Sequence, residues 1–390
     1  MKRQAAPSFL PFAFPDIGEE EINEVIDTLR NGWITTGPKT KQFESDFAEY
    51  LGNGCEAIAV NSATAGLHLA VEALGIGPGH EVIVPTHTFT ATAEIIRYMN
   101  ADPVFVDIDP SSYCISSDAV ADAVTERTKA ILPVHYAGHV ADMKGIFETA
   151  QSHGLEVIED AAHAFPARFG AHLIGTLSSA ATVFSFYATK TIATGEGGML
   201  VTRNPDLAKR SRIMRLHGID REAFDRYTSN RPSWYYEVVA PGFKYNMTDI
   251  AAALGIHQLR KADRFLARRA AIARRYDEEL QGLPLILPPR PTDPKAHAWH
   301  LYVVRLANDC RFERDKVIEG MFDRGIGCSV HYIPLHRQPY WRDKYGLDAG
   351  QFPVSEMLYE KGFSLPIYTR MTEGDQHRVI SALRSVLGEC

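Results

Sequence analysis

The chain has 390 residues, 45% of them hydrophobic and 23% charged, a composition typical of a soluble globular protein with one large domain and a smaller one. The net charge of −7 and the pI near 6.1 argue against nucleic-acid binding, because contact with phosphate backbones needs a concentrated basic surface. The five cysteines lack metal-ligand spacing and so predict free thiols, a cytoplasmic location and no metal site.

The N-terminal segment predicts neither a signal peptide nor a membrane anchor, because prolines at positions 7, 11 and 15 interrupt its apolar runs. No other part of the chain approaches the length of a membrane span. Apolar residues at helical spacing predict the first helix over residues 19–30, which Gly32 ends. The loop over residues 32–38 is rich in Gly, Thr and Pro.

Short apolar runs alternate with helical patterns from there to Thr202. Seven runs predict strands, at residues 57–60, 81–84, 104–106, 130–134, 156–158, 181–184 and 199–202. Alternating strands and helices predict an α/β fold with a mostly parallel central sheet and helices on both of its faces.

The rest of the chain predicts a helix over 205–215, a long excursion over 217–241 and one long helix over 249–280. A proline-rich loop then leads to a small α+β unit. Its strands are predicted at 298–306 and 328–333, and its helices at 314–324 and 372–387. We therefore predict a large domain over 14–255, a small domain over 256–390 and an N-terminal arm over 1–13.

Two predicted strands end in residues that suggest a shared chemistry. Asp160 follows one strand, and Lys190 lies thirty residues later in the segment FSFYATK (184–190) after another. The carboxyl ends of parallel strands meet in one crevice, so both side chains can face the same small molecule. Lys190 would carry pyridoxal phosphate as a Schiff base, and Asp160 would keep its pyridine nitrogen protonated. Alone, either residue is more often a surface lysine or a helix cap.

Other segments add candidate contacts to this cofactor. SATAG (62–66) joins the first strand to a helix whose free N–H groups could hold a phosphate, with Ser185 as a further donor. Phe89 could stack on the pyridine ring, although a core position is as plausible an interpretation. His163 could reach the ring hydroxyl or could be a structural residue.

The order of these segments resembles the DegT/DnrJ/StrS family of sugar aminotransferases over nearly the whole chain. The matching segments are GWITTGPK (32–39), SATAG (62–66), PVHYAG (133–138), EDAAHA (159–164), FSFYATK (184–190) and YNMTD (245–249). Several of them, and AWHL (298–301), are similar to the branch that makes UDP-4-amino-4-deoxy-L-arabinose from its 4-keto precursor.

The resemblance implies a fold-type I aminotransferase that acts as a homodimer with shared active sites. Lys190 matches the catalytic lysine, and the matching cofactor contacts are Ala63, Thr64, Phe89, Asp160, His163, Ser185 and, from the other subunit, Asn246. The candidate substrate contacts are Thr35, Tyr187, Lys244, His331 and Tyr332. Tyr187 departs from the histidine that the family often has there, which leaves the sugar open. Members with histidine in place of the lysine are dehydratases, and Lys190 argues against that activity.

The predicted reaction transfers an amino group from L-glutamate to a keto carbon, at carbon 4 by family likeness, of a nucleotide-linked sugar. Two alternatives stay open at this point. One is an aminotransferase for a 3-keto sugar or a keto-cyclitol, and the other is a non-catalytic regulator that binds pyridoxal phosphate. A dehydrogenase-type nucleotide-binding domain is disfavoured, because no GxGxxG motif follows the first strand.

Overall fold

A computed structural model describes residues 9–220 and 234–388 of the chain. Its N-terminal part contains nine strands: β1 Glu56–Val60, β2 Glu81–Pro85, β3 Asp102–Val106, β4 Thr128–Ile131, β5 Glu156–Asp160, β6 Arg168–Phe169, β7 His172–Leu173, β8 Ala181–Ser185 and β9 Gly198–Thr202. Seven of them form one sheet in the order β1-β9-β8-β5-β4-β2-β3. Strand β9 is antiparallel to both of its neighbours and the other pairs are parallel. The predicted α/β fold with a mostly parallel sheet is confirmed.

Seven helices belong to this part of the chain: α1 Glu19–Asn31, α2 Pro38–Leu51, α3 Ala63–Ala73, α4 Ala91–Tyr98, α5 Ser117–Asp122, α6 Met143–His153 and α7 Pro205–Met214. The helices α2, α3, α4, α6 and α7 pack on the strands of the sheet and cover both of its faces. Adjacent residues of a strand face opposite sides, so Phe184 of β8 packs in one apolar layer and Val183 in the other. The first layer includes Phe43 and Phe47 of α2, and the second includes Leu67 of α3. Burial on both faces explains why the strands appear in the sequence as short apolar runs.

A second, antiparallel sheet lies in the C-terminal part of the chain. It consists of β10 Leu285–Ile286, β11 Tyr302–Leu306 and β12 Gly362–Leu365. The helices that follow the large sheet in the sequence are α8 Asp249–Arg260, α9 Ala262–Glu279, α10 Arg314–Asp323, α11 Pro339–Tyr345, α12 Pro353–Lys361 and α13 Glu373–Gly388. Leu10 joins the apolar cluster of this second sheet through backbone bonds to Gly325 and Gly327. The domain division at 255/256 stays a prediction.

The structure corrects two of the predicted elements. The long helix predicted over 249–280 is two helices, because the chain turns at Lys261, whose N–H bonds to Gln258 three residues back. Residues 328–333 are not a strand, and in this segment only Ser329 pairs, with Ser364 of β12. The carbonyl of His331 instead accepts bonds from the side chains of His87 and Tyr136, which turns the segment toward the large sheet.

The strand β12 was not predicted, and part of the predicted excursion, residues 221–233, lies outside the described residues. Within the described ranges, no helix combines the length and apolar character that crossing a membrane requires. Nor does any group of three or more His, Cys, Asp or Glu residues there form a potential metal site.

Candidate active site

A cavity of about 620 Å³ lies at the carboxyl ends of the central strands. The last residues of β5 and β8, Asp160 and Ser185, both line it, as the strand-end argument predicts. Ten of the predicted site residues meet in its walls: Ala63, Thr64, Phe89, Asp160, His163, Ser185, Tyr187, Lys190, His331 and Tyr332. The structure thus brings together residues that are up to 269 positions apart (332 − 63).

Lys190 lies in the loop between β8 and β9, where its backbone N–H bonds to the carbonyl of Tyr187 at 2.8 Å. Its Nζ makes no hydrogen bond or ion pair with any residue that the structure describes. The side chain is partly accessible from the cavity, but protein surrounds it on most sides. This burial lowers the pKa of Lys190 to about 8, and the negative charge of Asp160 opposes the change. A neutral amine is therefore available near neutral pH.

Asp160 is buried at the base of the cavity. Its Oδ2 accepts a 2.8 Å hydrogen bond from the hydroxyl of Thr92, and its Oδ1 accepts one from the N–H of Ala162 at 3.1 Å. Burial raises the pKa of Asp160, while these two bonds and the charge of Lys190 act in the opposite direction. A buried carboxylate is stabilised by a nearby positive charge, and a cationic ring nitrogen in the cavity would supply one to Asp160.

The neighbouring carboxylate, Glu159, points to the other face of the sheet. It accepts hydrogen bonds from the hydroxyls of Ser179 (2.6 Å) and Thr182 (2.9 Å) and from Nε2 of His135 (2.8 Å). The backbone of His135 also bonds to the carbonyl of Asp160 at 3.1 Å. Successive side chains of a strand point to opposite faces of the sheet, so these two adjacent acids have different roles. Glu159 holds in place the end of β5 that carries Asp160.

The N-terminus of α3 forms a cradle for an anion. Ser62 caps the helix by accepting from the N–H of Ala65, which leaves the N–H groups of Ala63 and Thr64 without partners among the described residues. A Cβ at position 198 would lie 2.7 Å from the nitrogen of Ala63, so only glycine allows β9 to approach here. Free N–H groups, a helix dipole and the nearby hydroxyl of Ser185 fit a phosphate.

Three neighbouring aromatic residues line the cavity. Phe89 is 56% exposed, and its ring centroid lies 5.6 Å from that of Tyr332. The hydroxyl of Tyr332 is 3.0 Å from Nε2 of His163, whose pKa burial holds well below its usual value. Phe89 is thus a cavity residue and not a core residue, and it is available for stacking on a planar ring.

Three predicted site residues, Thr35, Lys244 and Asn246, do not line this cavity. They lie together elsewhere: Lys244 donates to Oδ1 of Asn246 at 2.6 Å, and the carbonyl of Thr35 accepts from the N–H of Asp249 at 3.0 Å. The carboxylate of Asp249 also accepts from the first N–H groups of α2. The segments GWITTGPK and YNMTD therefore form one hydrogen-bonded unit.

Further residues line the cavity that were not predicted as site residues, among them Phe12, Thr92 and His300. Thr92 belongs to the same segment as Phe89. Its position one helical turn after Thr88 could have identified it as a candidate cavity residue. His300 packs against His163 with ring centroids 4.4 Å apart, and Phe12 packs against His331 at 5.2 Å. These two contacts join distant segments, and no local pattern indicates them.

Comparisons with known proteins identify the family of this chain. The family model described as the DegT/DnrJ/EryC1/StrS aminotransferase family matches residues 15–384. The spore coat polysaccharide biosynthesis protein SpsC of Bacillus subtilis is 46% identical over 97% of both chains.

Two solved structures are similar along their whole length. The putative sugar aminotransferase Spr1654 of Streptococcus pneumoniae, in its PMP form, has a TM-score of 0.90 and 34% identity over 97% of this chain and 99% of its own. Helicobacter pylori PseC, an aminotransferase involved in the biosynthesis of pseudoaminic acid, has a TM-score of 0.90 and 26% identity over 98% of this chain and 100% of its own. Spr1654 has also been solved in a PLP form. The chain therefore belongs to the DegT/DnrJ/EryC1/StrS aminotransferase family.

Proposed function

We propose that this protein transfers an amino group from L-glutamate to the carbon-4 ketone of a nucleotide-linked sugar, giving an amino sugar and 2-oxoglutarate. The observation that carries the proposal is the unpartnered amine of Lys190 in one cavity with the buried Asp160 and the anion cradle of α3. The cofactor is pyridoxal phosphate, and when bound it supplies a carbonyl group for amine exchange and a ring that accepts electrons.

Lys190 is the residue that moves protons in this proposal. With a pKa of about 8, Nζ is partly neutral at physiological pH and can take the proton from Cα of the bound amino acid. The same atom then returns a proton to the sugar carbon that receives the amino group. The absence of a hydrogen-bonding partner among the described residues keeps this amine free to move between the two positions.

The remaining cofactor contacts hold and polarise the ring. Asp160 offsets the positive charge of a protonated ring nitrogen, and Thr92 holds the carboxylate in position. The N–H groups of Ala63 and Thr64, with Ser185, bind the phosphate. Phe89 covers one face of the ring, and His163 supports its hydroxyl side.

The sugar would enter from the open side of the cavity. Tyr187 and His331 line the cavity, and we propose both as sugar contacts together with Tyr332. SpsC is a spore coat polysaccharide biosynthesis protein, and PseC is an aminotransferase involved in the biosynthesis of pseudoaminic acid, which supports an amino sugar destined for a glycan. The choice of carbon 4 rests on the motif likeness to the arabinose branch.

We propose that the active form is a homodimer whose sites draw on both chains. Thr35, Lys244 and Asn246 lie in one hydrogen-bonded unit outside the cavity of their own chain, which suits a contribution to the partner's cavity. Asn246 would reach the phosphate there, and Thr35 and Lys244 would reach the substrate.

The experiment is a substrate panel assayed by product mass. The protein is incubated with L-glutamate and the 4-keto forms of UDP-, dTDP- and GDP-linked sugars, a 3-keto sugar and a keto-cyclitol, with Lys190→Ala as the inactive control. Amination of a 4-keto nucleotide sugar is expected. Amination of only the 3-keto sugar or the cyclitol would contradict the proposed substrate. If no amino donor converts the cofactor to its pyridoxamine form, a non-catalytic regulator becomes the better interpretation.

A further inference from the structure

Hydrogen-bond directions around His163 determine how the hydroxyl of Tyr332 is oriented. The N–H of Ala137 points at Nδ1 of His163 at 3.3 Å. A backbone N–H can only donate, so Nδ1 must be the acceptor and carries no proton. In a neutral imidazole the proton is then on Nε2. His163 is therefore held in the Nε2–H tautomer by its own backbone surroundings.

Within the described part of the chain, the Nε2–H of His163 donates to the hydroxyl of Tyr332, 3.0 Å away. The tyrosine oxygen accepts this bond, so its own hydrogen must point in another direction. The hydroxyl makes no other hydrogen bond to a described residue, and Tyr332 lines the cavity. The chain of bonds from Ala137 through His163 thus leaves one O–H donor free to point into the cavity.

We propose that Tyr332 donates a hydrogen bond to the ring oxygen of the bound cofactor and that His163 is a positioning residue acting through Tyr332. This inference rests on the proposed cofactor site. The ring of Tyr332 lies beside Phe89, the proposed stacking residue, with centroids 5.6 Å apart. A ring oxygen with negative character needs a donor, and Tyr332 remains a donor because its hydroxyl keeps its proton.

The electrostatic surroundings support this assignment. Burial and the charge of Asp160 raise the pKa of Tyr332, so the hydroxyl stays protonated at all physiological pH values. Burial lowers the pKa of His163, and the charges of Lys190 and His331 act in the same direction, so the imidazole stays neutral. Among the described residues, the titratable rings packed against this pair are those of His300, Tyr136 and His331. A neutral imidazole in a fixed position orients the hydroxyl of Tyr332 and does not compete with it for the ring oxygen of the cofactor.

The first measurement uses the protein without cofactor. Nitrogen NMR of histidine-labelled protein, with His163 assigned through His163→Gln, should show a protonated Nε2 and a bare Nδ1. A protonated Nδ1 or an imidazolium at neutral pH would overturn the proposed orientation of Tyr332.

The second measurement uses the holoenzyme. A donor to the ring oxygen stabilises its charge, so Tyr332→Phe should raise the apparent pKa of the cofactor's absorbance titration by about one unit. His163→Leu should shift it less and in the same direction. Tyr50→Phe, which removes a hydroxyl bonded to Asp263 outside the cavity, is the matched control and should leave the titration unchanged.

An unshifted titration in Tyr332→Phe, alone or with a raised KM for the sugar, would overturn the proposal and make Tyr332 at most a sugar contact. If the wild-type protein takes up no cofactor at all, the proposed function fails instead. The NMR measurement on the cofactor-free protein still decides the orientation of Tyr332 in that case.

Discussion

The hydroxyl of Thr92 donates a 2.8 Å hydrogen bond to the carboxylate of Asp160, and both residues are buried. Thr92 lies on α4 and Asp160 at the end of β5, so this bond joins two separate elements beneath the cavity. The hydroxyl of Thr88 lies 2.8 Å from that of Thr92. Because Thr92 donates to the carboxylate, Thr88 is the donor to Thr92, and the chain of bonds ends on Asp160.

Thr92→Val should lower the free energy of unfolding of the cofactor-free protein by about 2 kcal/mol, because a buried carboxylate loses a donor. The loss is larger while Asp160 is ionised, because a charged acceptor forms a stronger hydrogen bond than a neutral carboxyl. Burial raises the pKa of Asp160, so the difference between variant and wild type should grow as pH rises through that pKa and then level off. Urea unfolding over a series of pH values measures it. Thr88→Val, which leaves the donor to Asp160 in place, is the control and should show a smaller difference with no pH dependence.

Asp160→Asn should keep the fold and lose function. The amide oxygen can still accept from Thr92, but a neutral side chain cannot offset a protonated ring nitrogen. We expect weaker cofactor binding in an absorbance titration and turnover reduced by about 10²-fold or more. Turnover at the wild-type level in this variant would contradict the role assigned to Asp160.

Labelling of Lys190 should depend on pH with a midpoint near its lowered pKa of about 8. Only the neutral amine attacks an aldehyde, so the rate should rise with pH through this value and then reach a plateau. Borohydride trapping of pyridoxal phosphate, followed by peptide mass mapping, measures it. Lys190→Ala should show neither this label nor turnover, and label at the same peptide position with a midpoint near that of an ordinary surface lysine would contradict the assigned environment.

Glu159→Gln should destabilise the protein by about 3 kcal/mol, because the buried carboxylate is the acceptor for three side chains. Glu156 lies on the same strand and is exposed, so Glu156→Gln is a matched control and should change stability by less than about 0.5 kcal/mol. Denaturant unfolding of both variants tests this. Equal effects at the two positions would show that Glu159 does not secure the strand end.

Mixing of inactive variants tests whether sites are shared between chains. Asn246→Ala mixed with Lys190→Ala should recover up to about a quarter of wild-type activity, because half of the dimers are mixed and one of their two sites is intact. Asp160→Asn mixed with Lys190→Ala is the control, since both residues line the cavity of one chain, and it should recover nothing. Equal recovery in the two mixtures, or none in either, would argue against a contribution of Asn246 to the partner's site.

Local patterns in the sequence predicted much of the fold. All seven strands of the large sheet were found near their expected positions, because each is a short run of apolar residues buried on both faces. The segment 328–333 has the same apolar and aromatic character but is not a strand. Within this segment only the backbone of Ser329 pairs with a strand. The carbonyl of His331 instead accepts a hydrogen bond from the side chain of His87, which follows β2 of the large sheet. Composition alone does not distinguish these two cases.

Local patterns were enough to predict the end of β5 at Asp160, the end of β8 that precedes Lys190 and the helix start that forms the anion cradle, because periodicity and capping residues are local properties. The side chains that meet across the fold depend instead on how distant elements pack. Packing joins Thr92 to Asp160 and His163 to Tyr332, and Asn246 is not among the residues that line the cavity of its own chain. The physical reason is that the packing of elements far apart in the chain sets hydrogen-bond partners and the burial that shifts each pKa.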